Sequence, residues 1–280
     1  GTPRRRTHRS SSFKLPLMAS VEPMAWDACV ASVGDSAPLA VVDTDGLPLP
    51  MRSLKGPLKI GVLDSSFNPP TRAHARLLEL ADSAEGLGPF DMKLLMLGKS
   101  NADKAIVGAQ LHERLAMMQL VALDLCASGQ ASVATSLSVT TFALFVDKAR
   151  ALLELLGEDP AAPASTVYFI VGSDTIVRIF DPKYYKDPEK ELGELFRMAH
   201  LISFDRDEAT VRLTAEKLES PLAQLFRERI TLLKMDDPRL QAISSTAVRK
   251  AVHAGGDGLS ELLAPSVEGY VREHSHMYAS

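Results

Sequence analysis

Cysteine is nearly absent: the 280-residue chain has only Cys29 and Cys126, far apart and in no metal-binding spacing. A disulfide framework and a paired-cysteine zinc site are thereby excluded, and a reducing compartment is the expectation. Tryptophan occurs once, at Trp26. No apolar run approaches the roughly 18 residues of a membrane span. Basic residues are not in excess, with 31 Lys and Arg against 35 Asp and Glu and a net charge of −4. That balance argues against a nucleic-acid-binding body. Small anionic ligands stay open, because a cleft can be locally positive on an acidic protein. No GxGxxG is present, and "LGKS" at 97–100 only ends like a P-loop, since Lys93 stands where the first glycine belongs. "HERLAMM" around His112 and "REHSHMY" at 272–278 offer no more than a helix-surface histidine and a weak metal-binding tail.

What is present is enough for a large core: 46% of the residues are hydrophobic and 24% charged. The first stretch, "GTPRRRTHRSSSFK", is basic, serine-rich and free of acid, the composition of a disordered tail or a targeting segment. A cytoplasmic or nuclear location is expected, with mitochondrial import left open by that basic start. "LAVVDTDGLPLP" reads as a hairpin turning at Asp45-Gly46. Residues 1–57 are taken as an N-terminal appendage, partly disordered, and 58–280 as the main domain.

From residue 58 the order is regular. Short apolar runs at 58–64, 92–97, 131–136, 166–172, 200–205 and 229–235 read as strands. Helical patterns at 74–86, 111–128, 140–157, 189–199 and 214–227 lie between most of them. Strands alternating with helices predict an α/β, doubly wound, Rossmann-like sheet, mainly parallel, with helices on both faces. Ligands in such sheets bind beyond the carboxyl ends of the strands, where the strand order reverses. If the order is the common one, the first and fourth strands are neighbours there. They are followed by the two most unusual stretches, "SSFNPPTRAH" and "GSDTIVRIFDPKYY".

The first stretch brings the backbone N–H groups of Ser65, Ser66 and Phe67 across the strand end, and Pro69-Pro70 fixes a rigid approach to a helix. A helix amino terminus is a ready anion site, and Thr71 and His74 can both face it. On these residues alone two readings stand: an anion site, or a plain cap at Thr71 with a surface histidine. His74 is placed at the helix start, outside the core. A second such end, "ISSTAVR", sets Ser244, Ser245 and Thr246 before Arg249, whose planar fork matches phosphate oxygens. Capping needs one hydroxyl, not three. Two phosphate-ready helix ends suggest a ligand with several phosphates.

These stretches carry a resemblance. "SFNPPTRAH" resembles the (H/T)-x-x-H signature of the nucleotidyltransferases in its nicotinamide mononucleotide adenylyltransferase form, and "ISSTAVR" is similar to the ISSTxxR signature of the same superfamily. "FIVGSD" and "HLISFDR" stand where that family carries a Gly-x-Asp and an arginine. The resemblance spans about 58 to 278, on a divergent eukaryotic branch. It implies AMP transfer from ATP to nicotinamide mononucleotide, giving NAD and pyrophosphate, with Mg²⁺ carried on the ATP and no metal held by the protein alone. It implies that Thr71, His74 and Arg249 serve the chemistry. It further implies that Ser65, Ser66, Phe67, Lys104, Gly172, Asp174, Ser244, Ser245 and Thr246 bind ATP; for Asp174 a helix N-cap is the competing role. Neither nucleic acid nor membrane is an implied partner.

Departures are also visible. The family has Gly where this chain has Ser65, and Asp64 reads as a strand-end structural residue. The Trp-Glu pair that packs the nicotinamide ring is missing from "SLSVTTFALF". Phe142, Phe145, Phe180 or Tyr184 could stack the ring, with core packing as the rival role of each. The alternatives are a transferase using another phosphorylated acceptor, and a nucleotide hydrolase or sensor without NAD synthesis.

Overall fold

A computed structural model describes residues 23–54, 56–99, 108–128, 133–205 and 208–278. Seven strands form one sheet: β1 (Leu39–Val42), β2 (Lys59–Asp64), β3 (Met92–Gly98), β4 (Thr135–Thr140), β5 (Thr166–Gly172), β6 (Ala199–Asp205) and β7 (Ile230–Lys234). Around them run α1 (Pro23–Ser32), α2 (Arg72–Ser83), α3 (Leu111–Ala127), α4 (Phe145–Leu156), α5 (Ser173–Ile179), α6 (Pro188–Met198), α7 (Glu208–Leu218), α8 (Pro221–Gln224), α9 (Pro238–Gln241), α10 (Ser245–His253), α11 (Leu259–Leu262) and α12 (Pro265–Glu273). The strand order is β1-β4-β3-β2-β5-β6-β7. Every pair is parallel except β1 with β4. The doubly wound Rossmann-like sheet is therefore present. The order reverses between β2 and β5, the first and fourth strands read from residue 58.

Parallel strands covered on both faces read as continuous apolar runs, and the four interior positions of β2 are all buried. The pleat sends alternate side chains to opposite layers. Leu63, Leu95, Ile170 and Ile202 pack with α2 and α3, whereas Val62, Leu94, Phe169 and Leu201 pack with α4 and α6. Edge strand β7 is buried only at Ile230, and beyond it half-buried and exposed positions alternate. Among the described residues no helix is long and apolar enough to cross a membrane.

Three local expectations shift. The third strand of the main run is Thr135–Thr140. Of the expected 131–136, residues 131–132 lie outside the described residues and 133–134 are not strand. The helix expected over 140–157 begins at Phe145. "ASVATS" and "TSLSVT" both suit a strand. Pairing with β3, from Lys93↔Thr135 to Gly98↔Thr140, selects the second. The helix expected over 214–227 is split: Pro221 cannot continue α7 and instead opens α8, capped by Ser220.

Ahead of residue 58, Leu39–Val42 joins the same sheet. β1 is its antiparallel edge strand, and the hairpin turn at Gly46 is formed, with a bridge from Val42 to Pro48. Trp26 of α1 is 2% exposed within the core. Lys99 of the P-loop look-alike is committed elsewhere: its Nζ donates to the Val30 and Val33 carbonyls at 2.8 and 2.6 Å, at the end of α1. Lys93 is buried against Asp82.

One half-buried histidine gives a pH prediction. His200 lies beside Thr231, Nε2 to Oγ1 2.8 Å. Burial, with a smaller contribution from nearby Arg229, pulls its pKa down to about 4. The unfolded chain therefore binds a proton here that the folded protein refuses between the ordinary histidine value and about 4. Folding stability falls with falling pH across that window. Thermal unfolding between pH 7 and 4 should show a shallower decline in His200→Gln than in the parent. Equal slopes would assign the decline to other groups.

Candidate active site

Between Asp64 and Arg72 the chain crosses the carboxyl edge of the sheet at the point of reversal. Phe67, fully buried, sits at φ 44, in the left-handed region that side chains rarely adopt. Such strain persists only where the surroundings over-determine it, and here they do. Arg114 of α3 donates to the Ser66 carbonyl at 3.3 Å, and Arg249 of α10 donates to the Asn68 carbonyl at 2.7 Å. Two guanidinium groups thus hold the carbonyls on either side of the strained residue. Asn68 Oδ1 accepts from the Ala109 N–H at 3.2 Å. Gly108, at φ +81, lets this approach happen, since a Cβ there would lie 2.9 Å from both Asn68 Oδ1 and the Tyr278 ring.

His74 overturns one expectation. It lies at the start of α2 but is 5% exposed, its ring tilted against Phe67 at 5.2 Å between centroids. Thr71 is the N-cap, and its N–H donates to His74 Nδ1 at 3.0 Å while Thr71 Oγ1 lies 2.8 Å from the same nitrogen. On the other side Nε2 is 3.0 Å from Ser65 Oγ. The histidine closes the helix end against the loop. It is part of the structure as well as of the site.

The second motif docks directly on the first. Ser245 Oγ donates to the Pro69 carbonyl at 2.8 Å, across 176 residues of sequence. Ser244 is the N-cap of α10, accepting from the Ala247 N–H at 3.1 Å. Of the three hydroxyls, only Thr246 is exposed, and it accepts from Arg249 at 3.0 Å. Arg249 uses two contacts in this way and keeps further N–H donors. Both helix ends therefore flank one loop, which concentrates backbone donors and partial positive charge there.

At the end of β5, Gly172 takes the N-cap position of α5, so Asp174 is not the cap; it stands exposed in the first turn. A Cβ on Gly172 would lie 2.8 Å from Asp174 Oδ1, the tip of an exposed side chain that would have to turn away. Asp64 is held by Lys148 Nζ at 2.6 Å, a largely buried pair in agreement with its reading as a strand-end residue. Phe145 and Phe180 belong to the core, Phe145 edge-on to Phe169 and Phe180 stacked on Phe196. Phe142 and Tyr184 remain partly exposed, and Phe142 stands two residues beyond the end of β4. Lys104 and Arg206 lie outside the described residues.

Sequence reasoning missed Arg114, Lys148 and Tyr278. Burial pulls the Arg114 guanidinium below its ordinary value, opposed by Tyr278 and reinforced by Arg249. The buried Tyr278 hydroxyl has no hydrogen-bond partner among the described residues, and burial pushes its pKa up. A charged residue inside an apolar helical run, as in "HERLAMM", is the signal that could have exposed Arg114. Lys148 and Tyr278 give no comparable signal.

A doubly wound sheet with two helix amino termini converging on a strained loop at its switch point defines a nucleotide-binding transferase domain. Residues 62–251 match the family described as Cytidylyltransferase-like. A Schizosaccharomyces pombe protein, assigned by its name to the nicotinamide mononucleotide adenylyltransferases, is 32% identical over 74% of this chain and 80% of its own. A Citrifermentans bemidjiense protein, assigned by name to the nicotinate-nucleotide adenylyltransferases, is 26% identical over 77% of this chain and 96% of its own. The Plasmodium falciparum nicotinic acid mononucleotide adenylyltransferase complexed with NaAD shares the fold, with a TM-score of 0.53 and 18% identity over 79% of this chain and 98% of its own. The chain belongs to the cytidylyltransferase-like family, on its branch of nicotinamide- and nicotinate-nucleotide adenylyltransferases. It is a nucleotidyltransferase enzyme.

Proposed function

We propose that this enzyme transfers AMP from MgATP to the 5′-phosphate of nicotinamide mononucleotide, forming NAD and pyrophosphate. The observation that carries the reading is the docking of α10 on the 64–71 loop through Ser245 and Arg249. It sets two anion-ready helix ends around one point, as a polyphosphate requires. In-line displacement at the α-phosphorus needs no covalent intermediate; it needs positioning and stabilisation of developing charge.

Each group has a part in this reading. The amino terminus of α2 and His74 act at the α-phosphate. Thr246 and Arg249 hold the β- and γ-phosphates, while Ser244 and Ser245 fix the helix that presents them. Lys104, which follows β3 in the sequence, adds charge. The backbone from Ser65 to Phe67 and Gly172 give the nucleotide close approach, and Asp174 takes ribose or base donors. Magnesium would be carried by the nucleotide, where it would neutralise charge on the phosphates. Phe142, partly exposed after β4, is the platform for the acceptor ring. A phenylalanine offers less stacking area than a tryptophan, so the acceptor KM is expected to be high.

The test is chromatography of products after incubation with MgATP and nicotinamide mononucleotide, nicotinate mononucleotide or another phosphorylated acceptor. NAD formed at saturating nicotinamide mononucleotide supports the reading. A different dinucleotide would reassign the acceptor. Acceptor-independent ADP and phosphate without NAD would overturn it in favour of a hydrolase.

A further inference from the structure

We propose that Ser65 is a catalytic residue, its hydroxyl carrying the donor character of His74 to the α-phosphate of the nucleotide. The inference rests on the adenylyltransferase reading and deepens it. A backbone N–H can only donate, so the Thr71 N–H at 3.0 Å makes His74 Nδ1 an acceptor. Thr71 Oγ1, 2.8 Å away, is placed to donate to the same lone pair. The neutral ring therefore carries its proton on Nε2. Nε2 lies 3.0 Å from Ser65 Oγ, so the hydroxyl oxygen accepts there.

Two consequences follow. Ser65 is not a nucleophile activated by a histidine base, because activation would need an unprotonated Nε2. Its own O–H is left to turn outward, since among the described residues the hydroxyl makes no other hydrogen bond and the side chain is only half-buried. It stands directly after β2 at the point where the sheet order reverses. His74 is 5% exposed, less accessible than Ser65, so the hydroxyl is the outer member of the pair. Hydrogen bonds in a chain polarise one another. The His74 N–H strengthens the Ser65 O–H as a donor to an oxygen gaining negative charge. No proton changes owner and no bond to Ser65 forms.

Ser65→Ala, Ser65→Thr, His74→Ala and the Ser65→Ala/His74→Ala double variant test this by kcat and ATP KM. Ser65→Ala should lose on the order of a hundredfold in kcat, as for other donors to developing oxyanions. Its ATP KM should move only about threefold or less, because the contact strengthens in the transition state. Ser65→Thr, which keeps a hydroxyl, should recover most of the rate. The double variant should be no slower than His74→Ala, since one broken link disables the chain. Multiplying losses, or a Ser65→Ala variant at parental kcat, would overturn the relay.

A measurement independent of activity is the ¹⁵N imidazole spectrum of the whole protein, which should show His74 protonated at Nε2 and not at Nδ1. The opposite tautomer would overturn the proposal even if NAD is formed. Absence of any dinucleotide product from the parent enzyme would instead fail the functional reading, while the spectrum still judges the hydrogen-bond chain.

Discussion

His74→Ala is expected to lower kcat by about a hundredfold to a thousandfold, the usual cost of disabling a donor to developing charge, here the Ser65 hydroxyl that His74 polarises. The structure adds a second effect. His74 is 5% exposed and accepts the Thr71 N–H, so the alanine variant also leaves an N-cap donor unpaired. Loss of a cap interaction costs about 0.5–2 kcal/mol, and the vacated ring space beside Phe67 adds to it. A histidine outside the core would leave the fold untouched when removed; buried as it is, its loss should give a measurable fall in Tm. His74→Gln separates the two effects. A glutamine at this third helical position can reach back to the N-cap N–H, as in a capping box. Its Tm should recover while kcat remains at least about tenfold below the parent. Parental turnover in His74→Ala would remove the residue from the chemistry and leave only its cap.

Arg249→Lys should weaken MgATP binding by about tenfold or more, and Arg249→Ala further still. A charge-assisted hydrogen bond contributes about 1.5–3 kcal/mol, and the fork here spans two partners in different directions. Arg249 holds the Asn68 carbonyl at 2.7 Å and the Thr246 hydroxyl at 3.0 Å. One lysine ammonium keeps the charge but not the planar fork. The loss should therefore exceed that of a mere charge rearrangement, because the Asn68 contact also helps hold Phe67 at its positive φ. Calorimetric titration with a non-hydrolysable ATP analogue measures it. A lysine variant with parental affinity would reduce Arg249 to charge balance.

The two motifs were legible because their chemistry is local. Hydroxyls before a helix, a Pro-Pro approach and an arginine one turn in are read from neighbouring residues alone. Arg114 and Lys148 were hidden for the opposite reason. Each acts on a residue far away in sequence, on Ser66 and Asp64, and neither partner announces the pairing. His74 shows the same limit within a motif. Its spacing placed it at the helix start, yet only packing against Phe67 and Ser65 puts the ring inside.

By itself the sequence determined the alternation of strands and helices and the residue types at both helix ends; that the strand order reverses next to β2 is a fact of the sheet. Periodicity and turn chemistry act over a few residues, so the chain states them directly. Tertiary structure alone decided that β4 starts at Thr135, that β1 completes the sheet, and that Phe145 and Phe180 belong to the core. It also decided how the two helix ends meet. Ser245 on Pro69 and Arg249 on Asn68 join residues 176 and 181 apart. The physical reason is range: a cap or a turn is settled by its neighbours, whereas a register, a buried face or a clamp is settled by whichever distant surface excludes water from it.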